Sequence, residues 1–248
     1  MKLIQDTKKL IKSMARKFLG LDLSLRKIIM TSDFIEQKKL LRDTNTKIIF
    51  DVGANVGQTT QKYRKLFPKS KIFGFEPFKD VFKIYSNNTD GDKMTLRNNI
   101  ALSNHTGTAS FYSNECHYTN SLLPFDDKYS GKENLKSKSQ IQIITNTLDN
   151  FCDKNNLNHI NILKIDVQGG EMLVLEGAKE MLSKKAIDLI YSEVEFVAIY
   201  KNQPLFKDIE KFLAQYDYHF YKNFNLYYDK DNVLISGDAI FIRTELIK

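Results

Sequence analysis

The sequence predicts an α/β protein whose mostly parallel sheet is covered by helices on both faces. Three observations predict it. From residue 47 onward, short runs of β-branched and aromatic residues alternate with segments of helical period. The first of these units, "KIIFDVGANVGQTTQKYRKLF", reads as strand, glycine turn, helix. Of 248 residues, 42% are apolar and 27% charged, a composition that builds a core rather than a disordered chain.

Taken in order, residues 1–45 read as a helical extension and residues 46–248 as the main domain. In the extension Leu3, Ile4, Leu10, Ile11, Met14 and Phe18 share one helical face, with Lys8, Lys9, Lys12, Arg16 and Lys17 around it. Such a helix either caps the domain or lies as a basic amphipathic helix on an anionic lipid surface. The packed cap is the first reading, and peripheral contact at the inner membrane surface the second. "KIIFDVG" is then a short buried strand, "GQTTQKYRKLF" a helix, "SKIFGFEPF" a strand and "DVFKIYSNN" a helix. "KMTLRNNIAL" and "GTASFYSN" read as strands, followed by a polar, irregular stretch over 114–138. "QIQIITNTLDNFCDKN" gives a strand and a helix from Thr147. "INILKIDV" is a strand, "GEMLVLEGAKEMLSK" a helix, "IDLIYSEVEF" a strand and "PLFKDIEKFLAQY" a helix. "HFYKN" and "VLISGDAIFIRTE" close the chain as an antiparallel pair.

Lys plus Arg number 37 against 30 Asp plus Glu, a net charge of +7. That excess suits an acidic substrate, a membrane surface or nucleic acid alike, but without a dense Arg-rich run nucleic acid is not the expected partner. The two cysteines, Cys116 and Cys152, have no C-x-x-C spacing and read as free thiols of a reducing compartment. No apolar run approaches the roughly 20 residues that span a bilayer. The N-terminus has no signal-like apolar region, so a cytoplasmic location is expected. Oligomeric state leaves no mark in the sequence.

The glycine turn "GANVGQT" follows a strand and opens a helix, as a nucleotide-binding turn does. It lacks the middle glycine of G-x-G-x-x-G, because Asn55 stands there, so a pyrophosphate meets a bulkier approach. Glu76 closes the next strand, 19 residues after Gly57 (76 − 57 = 19), where an acid suits a ribose diol. Strand, glycine turn, helix, strand and acid together point to an adenosine-type cofactor without a pyrophosphate grip. S-adenosylmethionine meets that description better than NAD. Asp51 or Asn55 could meet its amino-acid end.

A second segment, "TLDNFCDKNNLNHINILKIDVQGGEMLVLEGA", resembles the FkbM family of S-adenosylmethionine-dependent methyltransferases. In that family a Thr-Leu-Asp leads into a helix, a strand carries Lys-x-Asp-x-Glu-Gly-x-Glu, and a helix closes with Leu-x-Gly-Ala. The matching residues here are Thr147, Leu148, Asp149, Lys164, Asp166, Gly169, Glu171, Leu175, Gly177 and Ala178. Gln168 departs from the pattern, standing where the family usually has Glu. "NNIALSNHTGTASF", "SEVEFVAIYKNQPLFKDIEKFLAQY" and "GDAIFI" extend the resemblance across about residues 46–244. It implies a class I methyltransferase (Rossmann-like) fold with a seven-stranded sheet in the order 3-2-1-4-5-7-6, the seventh strand antiparallel. It also implies O-methylation of a sugar, a polysaccharide building block or a natural product. The expected activity is therefore O-methyl transfer to a hydroxyl of a sugar or glycoconjugate precursor. The rivals are a methyltransferase for RNA or lipid, and a cofactor-binding assembly protein without catalysis.

The candidate cofactor residues are Asp51, Gly53, Asn55, Gly57 and Glu76, with Ala101 near the adenine. A sugar hydroxyl needs a general base or a metal ion to become a nucleophile. Asp166, at the end of a central strand, is the candidate for either role; its ordinary alternative is to cap the following helix. Glu171 is catalytic or serves the helix dipole. Glu193 could join Asp166 and Glu171 around Mg²⁺, although a site without metal is expected. His117, in a loop over the active edge, is a second candidate base. Tyr118, Tyr200 and Gln203 are candidate substrate contacts, with packing as the alternative. His105, His159 and His219 lack partners at metal-ligand spacing and read as structural.

Overall fold

A computed structural model of the chain describes residues 30–41, 47–128 and 137–246. The expected amphipathic helix of residues 3–18 lies outside the described residues. Of the expected helical extension, one helix is described, α1 (Ser32–Leu40).

Strands and helices then alternate. β1 (Ile48–Val52) leads to α2 (Gln58–Leu66), β2 (Lys71–Phe75) to α3 (Lys79–Asn88), and β3 (Thr95–Asn98) follows. After an excursion come α4 (Leu148–Lys154), β7 (Ile160–Ile165), α5 (Glu171–Glu176), α6 (Lys179–Ser183), β8 (Ile187–Glu195), α7 (Phe206–Ala214), β9 (Tyr218–Tyr228) and β10 (Leu234–Arg243). The excursion is a second, three-stranded sheet of β4 (Ala101–Leu102), β5 (Gly107–Asn114) and β6 (Ser137–Asn146), in the order β4-β6-β5.

The main sheet has seven strands in the order β3-β2-β1-β7-β8-β10-β9. The expected numbering, 3-2-1-4-5-7-6, differs because β4, β5 and β6 intervene in the chain and pair with one another. β10 is antiparallel to both β8 and β9, while the pairs from β3 to β8 are parallel. "KMTLRNNIAL", expected as one strand, is divided at Asn99–Ile100 between the two sheets.

Strand alternation sends successive side chains to opposite faces. Phe50, Val52, Phe73, Phe75, Leu163 and Ile165 pack on one face with Phe151 of α4, Leu175 of α5, Leu182 of α6 and Leu213 of α7. Ile49, Ile72, Ile162, Leu189 and Ile240 pack on the other with Phe34 of α1 and Tyr63 of α2.

The motif residues Thr147, Asp149 and Gly177 hold this scaffold together. The Thr147 side chain accepts from the Asn150 amide and caps α4. The Asp149 carboxylate accepts from the Glu180 and Met181 amides, 2.8 and 3.0 Å away, and so caps α6. Gly177 divides the expected single helix into α5 and α6. A Cβ there would lie 2.1 Å from the Ser103 carbonyl oxygen, which is backbone and cannot swing aside. Gly177→Ala is therefore expected to cost about 1–3 kcal/mol or more, read as a lower denaturation midpoint with unchanged slope.

Candidate active site

The carboxyl ends of β1, β2, β7 and β8 meet at one edge, where open α/β sheets bind ligands. At the end of β1 the chain turns through three left-handed residues, Gly53 (φ 74°), Asn55 (φ 49°) and Gly57 (φ 93°). A Cβ on Gly53 would sit 1.8 Å from the Asp166 carbonyl oxygen, so only glycine lets the β1 and β7 ends approach this closely.

Every amide of the turn is already used within the protein. Gly53 and Ala54 donate to the Phe75 carbonyl (3.0 and 2.9 Å), and Gly57 donates to Ala54 (2.8 Å). Asn55 donates to Glu76 Oε2 (3.1 Å), and Val56 to Asn55 Oδ1 (2.8 Å). A phosphate cradle offers its amides to the ligand; this turn spends them on its own shape. What faces a ligand here is carboxylate.

Glu76 is that carboxylate. Its second oxygen accepts from the Phe78 amide (2.8 Å), and the side chain lies in a cleft with Gly53, Asn55, Phe111, His117, Tyr118 and Asp166. Burial pushes its pKa up to about 7, against the pull of the Phe78 and Asn55 amides. The cleft holds about 50 Å³, well below the roughly 300–1,000 Å³ of ligand pockets.

Asp51 does not face this cleft. It is fully buried and accepts from Thr60 Oγ1 (2.6 Å), while Lys164 Nζ stands 3.0 Å from its other oxygen. Lys164, itself buried, also donates to the carbonyls of Val52 (3.2 Å) and Gly53 (2.8 Å) and lies 4.0 Å from Asp166 Oδ2. Burial would lower the Lys164 pKa, but Asp51 and Asp166 outweigh it and hold the ammonium above its ordinary value. The expected cofactor contact of Asp51 becomes a support for the strand ends.

Asp166 lines both the small cleft and a second cavity of about 200 Å³. Its Oδ1 accepts from Gln168 Nε2 (3.1 Å), and the same amide donates to Glu193 Oε2 (2.5 Å). The family departure thus has a physical role: an amide can donate to two carboxylates at once, where an ionised glutamate cannot. Gln168 reaches them from a left-handed backbone (φ 59°), and its carbonyl accepts from Ser121 Oγ (2.6 Å), which ties in the segment carrying His117.

The other candidates are placed as follows. Glu171 turns back to accept from the Val167 and Gly169 amides (3.0 and 3.2 Å); burial raises its pKa to about 7. It braces the loop that presents Asp166 and lines neither cavity. Asp166, Glu171 and Glu193 therefore do not converge as a ligand set, and among the described residues no group of three or more His, Cys, Asp or Glu is placed to hold a metal ion. Tyr200 and Gln203 are engaged in contacts within the protein. Tyr200 donates to the Thr119 carbonyl (2.9 Å) and stacks on Phe125 at 5.1 Å. Gln203 Oε1 accepts from the Ile199 and Tyr200 amides (2.7 and 3.1 Å). Ala101 is buried with Phe111 and Ile143 and is not among the residues lining the cleft. His117 and Tyr118, with rings 4.0 Å apart, do line the cleft. Among the other histidines, His159 pairs with Asp188 (2.9 Å) and His219 with Thr244 (3.0 Å).

Phe111, Pro77 and Asn120 also line the cleft, and sequence reasoning missed them. Phe111 stacks on Phe78 at 6.3 Å and offers an aromatic wall. A larger groove of about 990 Å³ runs past Thr147, Asp149 and Gly177, away from the strand ends and over residues already committed to scaffolding.

The family profile of the methyltransferase FkbM domain matches residues 51–220. The chain belongs to that family. The profile begins at Asp51, near the end of β1, and runs into β9. A relative, 2-O-methyltransferase NoeI of Sinorhizobium fredii, is 28% identical over 164 residues, covering 63% of this chain and 66% of that protein. The hexuronic acid methyltransferase AglP of Haloferax volcanii is 25% identical over 150 residues, covering 59% of this chain and 55% of the relative. The chain thus spans about two thirds of the first and little more than half of the second. The crystal structure of methyltransferase FkbM from Methylobacillus flagellatus superposes with a TM-score of 0.53 at 15% identity, covering 83% of this chain and 45% of the other. That likeness shows a shared fold. Among the described residues, no helix is long and apolar enough to cross a membrane.

Proposed function

We propose that this FkbM-family chain is an S-adenosylmethionine-dependent O-methyltransferase acting on a sugar or glycoconjugate hydroxyl. The observation that carries the reading is the turn whose five amides are all spent internally, set beside the Glu76 carboxylate. That arrangement suits a ribose with no phosphate next to it. The relatives' activities, a 2-O-methyltransferase and a hexuronic acid methyltransferase, support a sugar hydroxyl as acceptor.

Glu76 would hold the ribose hydroxyls, the Gly53–Asn55 turn would shape the amino-acid end, and Phe111 would flank the base. When bound, S-adenosylmethionine supplies an electrophilic methyl group on a sulfonium. The protein's part is to align a hydroxyl oxygen and to remove its proton. Asp166, at the junction of the two cavities, would take that proton on a carboxylate oxygen. Gln168 orients the acid, and Lys164 supplies the neighbouring positive charge. His117 and Tyr118 would close over the cleft and exclude water. No Mg²⁺ ion is part of this scheme.

Hydroxyl donors favour the ionised form of Glu76. Cofactor affinity is therefore expected to rise with pH through about 7, the value to which burial pushes this acid. Glu76→Gln should flatten that dependence and weaken binding about 10–150-fold, the effect of losing about 1.5–3 kcal/mol of charge-assisted hydrogen bonding. Titration calorimetry across pH 6–8 checks both, at roughly half-unit steps. The same proton affects stability. Because the folded pKa is raised, the contribution of Glu76 is fully present below its unfolded value and is lost as pH rises through about 7.

The activity itself is tested with methyl-labelled S-adenosylmethionine and a panel of glycosides, RNA and lipids. Label in a glycoside supports the proposal. Label in RNA or lipid alone, or cofactor binding with no transfer to any acceptor, contradicts it.

A further inference from the structure

The 200 Å³ cavity beyond Asp166 is formed where the start of α1, the start of α2, the end of β7 and the inner stretches of β8, β9 and β10 meet. Its lining includes four carboxylates, Asp33, Asp166, Glu193 and Asp238, and two ammonium groups, Lys62 and Lys164. Lys164 is engaged with Asp51 and two backbone carbonyls, and Lys62 lies over the Phe34 ring, 4.7 Å from its centre. One wall is a hydrogen-bonded chain. Tyr191 donates to Asp33 Oδ2 (2.5 Å), and Asn225 Nδ2 reaches both Asp33 Oδ2 (3.4 Å) and Asp238 Oδ2 (2.6 Å).

Among the described residues, three oxygens on lining residues have no hydrogen-bond partner: Thr31 Oγ1, Asp33 Oδ1 and Gln58 Oε1. Asp33 is only 1% exposed, so its orphaned oxygen is a buried acceptor of the kind that native structures seldom leave unsatisfied. All three oxygens can accept. Carboxylates outnumber ammonium groups in the lining by four to two.

We propose that this cavity is the acceptor site and that it selects a glycoside unit carrying hydroxyl or amino groups but no acidic group. The inference rests on the sugar O-methyltransferase reading above and narrows its substrate. A hydroxyl-rich ring brings donors to Asp33 and Gln58 and sets one oxygen against Asp166. A carboxylate or phosphate on that ring meets four carboxylates at close range, and like-charge juxtaposition is costly where water is excluded. The volume, below that of a drug-sized pocket, fits one small ring rather than an extended chain. The cofactor's own ammonium would suit the same acceptors, so the test separates the two.

The experiment measures label transfer from S-adenosylmethionine to matched glycosides of a neutral hexose, a hexosamine, a hexuronic acid and a hexose phosphate, using the full chain. The expected result is transfer to the neutral or amino glycoside with at least about tenfold preference over both acidic ones. Asp33→Asn and, independently, Gln58→Ala should each raise the acceptor KM about tenfold and leave the Kd for S-adenosylmethionine unchanged. Gln58 is only partly buried, so that variant still reads out should Asp33→Asn misfold. Equal or better use of the uronate or phosphate overturns the inference while leaving the sugar methyltransferase reading intact. So does a change in cofactor Kd with unchanged acceptor KM. Transfer to no glycoside at all overturns both.

Discussion

Asp166→Asn is expected to lower kcat by about 10²–10⁴-fold while leaving S-adenosylmethionine affinity within a few-fold of wild type. The substitution is nearly isosteric. Its amide oxygen can still accept from Gln168 Nε2, and the backbone bond from the residue 166 amide to the Val52 carbonyl (3.1 Å) is untouched. What is lost is the group that takes a proton at the junction of the two cavities. Single-turnover transfer of a labelled methyl group separates this from a binding defect. A variant that transfers at the wild-type rate would remove Asp166 from the chemistry and leave His117, on the other side of the cleft, as the candidate base. A variant that binds no cofactor would make Asp166 a binding residue instead.

Lys164→Met should be the most destabilising single change in the site, by about 3–5 kcal/mol. The reason is what it leaves behind. Asp51 is fully buried, and with the ammonium gone its carboxylate keeps only the Thr60 hydroxyl bond. The carbonyls of Val52 and Gly53 lose a donor at the same time. Denaturant unfolding measures the loss. The double variant Asp51→Asn/Lys164→Met removes the stranded charge and should recover a substantial part of it, whereas additive losses would show that the pair is not coupled.

These two residues also show what could be read in advance. The strand–turn–helix unit at Gly53 was legible because a left-handed turn leaves a compositional mark, glycine, and because the acid on the next strand falls at a distance set by one βαβ unit. Asp166 was legible as a strand-end acid. The partition among the acids was not. Asp51, Glu171 and Glu193 look alike in sequence, yet one pairs with a buried lysine, one folds back on its own loop, and one shares the Gln168 amide. Those choices depend on residues 2 to 113 positions apart, and no periodicity encodes them. The internal bonds of Tyr200 and Gln203 were not legible for a related reason, since a strap that holds a loop uses the same polar residue types as a strap that holds a sugar. Phe111 went unseen because the β5 strand belongs to the second sheet, whose return over the cleft is a matter of tertiary path. Asp33 lies on a helix expected only as a cap, and its meeting with Tyr191 spans 158 positions.

In the proposed function, the glycine turn and Glu76 form a site for a phosphate-free adenosine cofactor. Parallel calorimetric titrations of the wild-type chain with S-adenosylmethionine and with NAD test it most directly. Saturable, one-to-one binding of S-adenosylmethionine is expected, with no measurable heat on addition of NAD, because no amide of the turn remains to grip a pyrophosphate. Binding of NAD in preference to S-adenosylmethionine would contradict it.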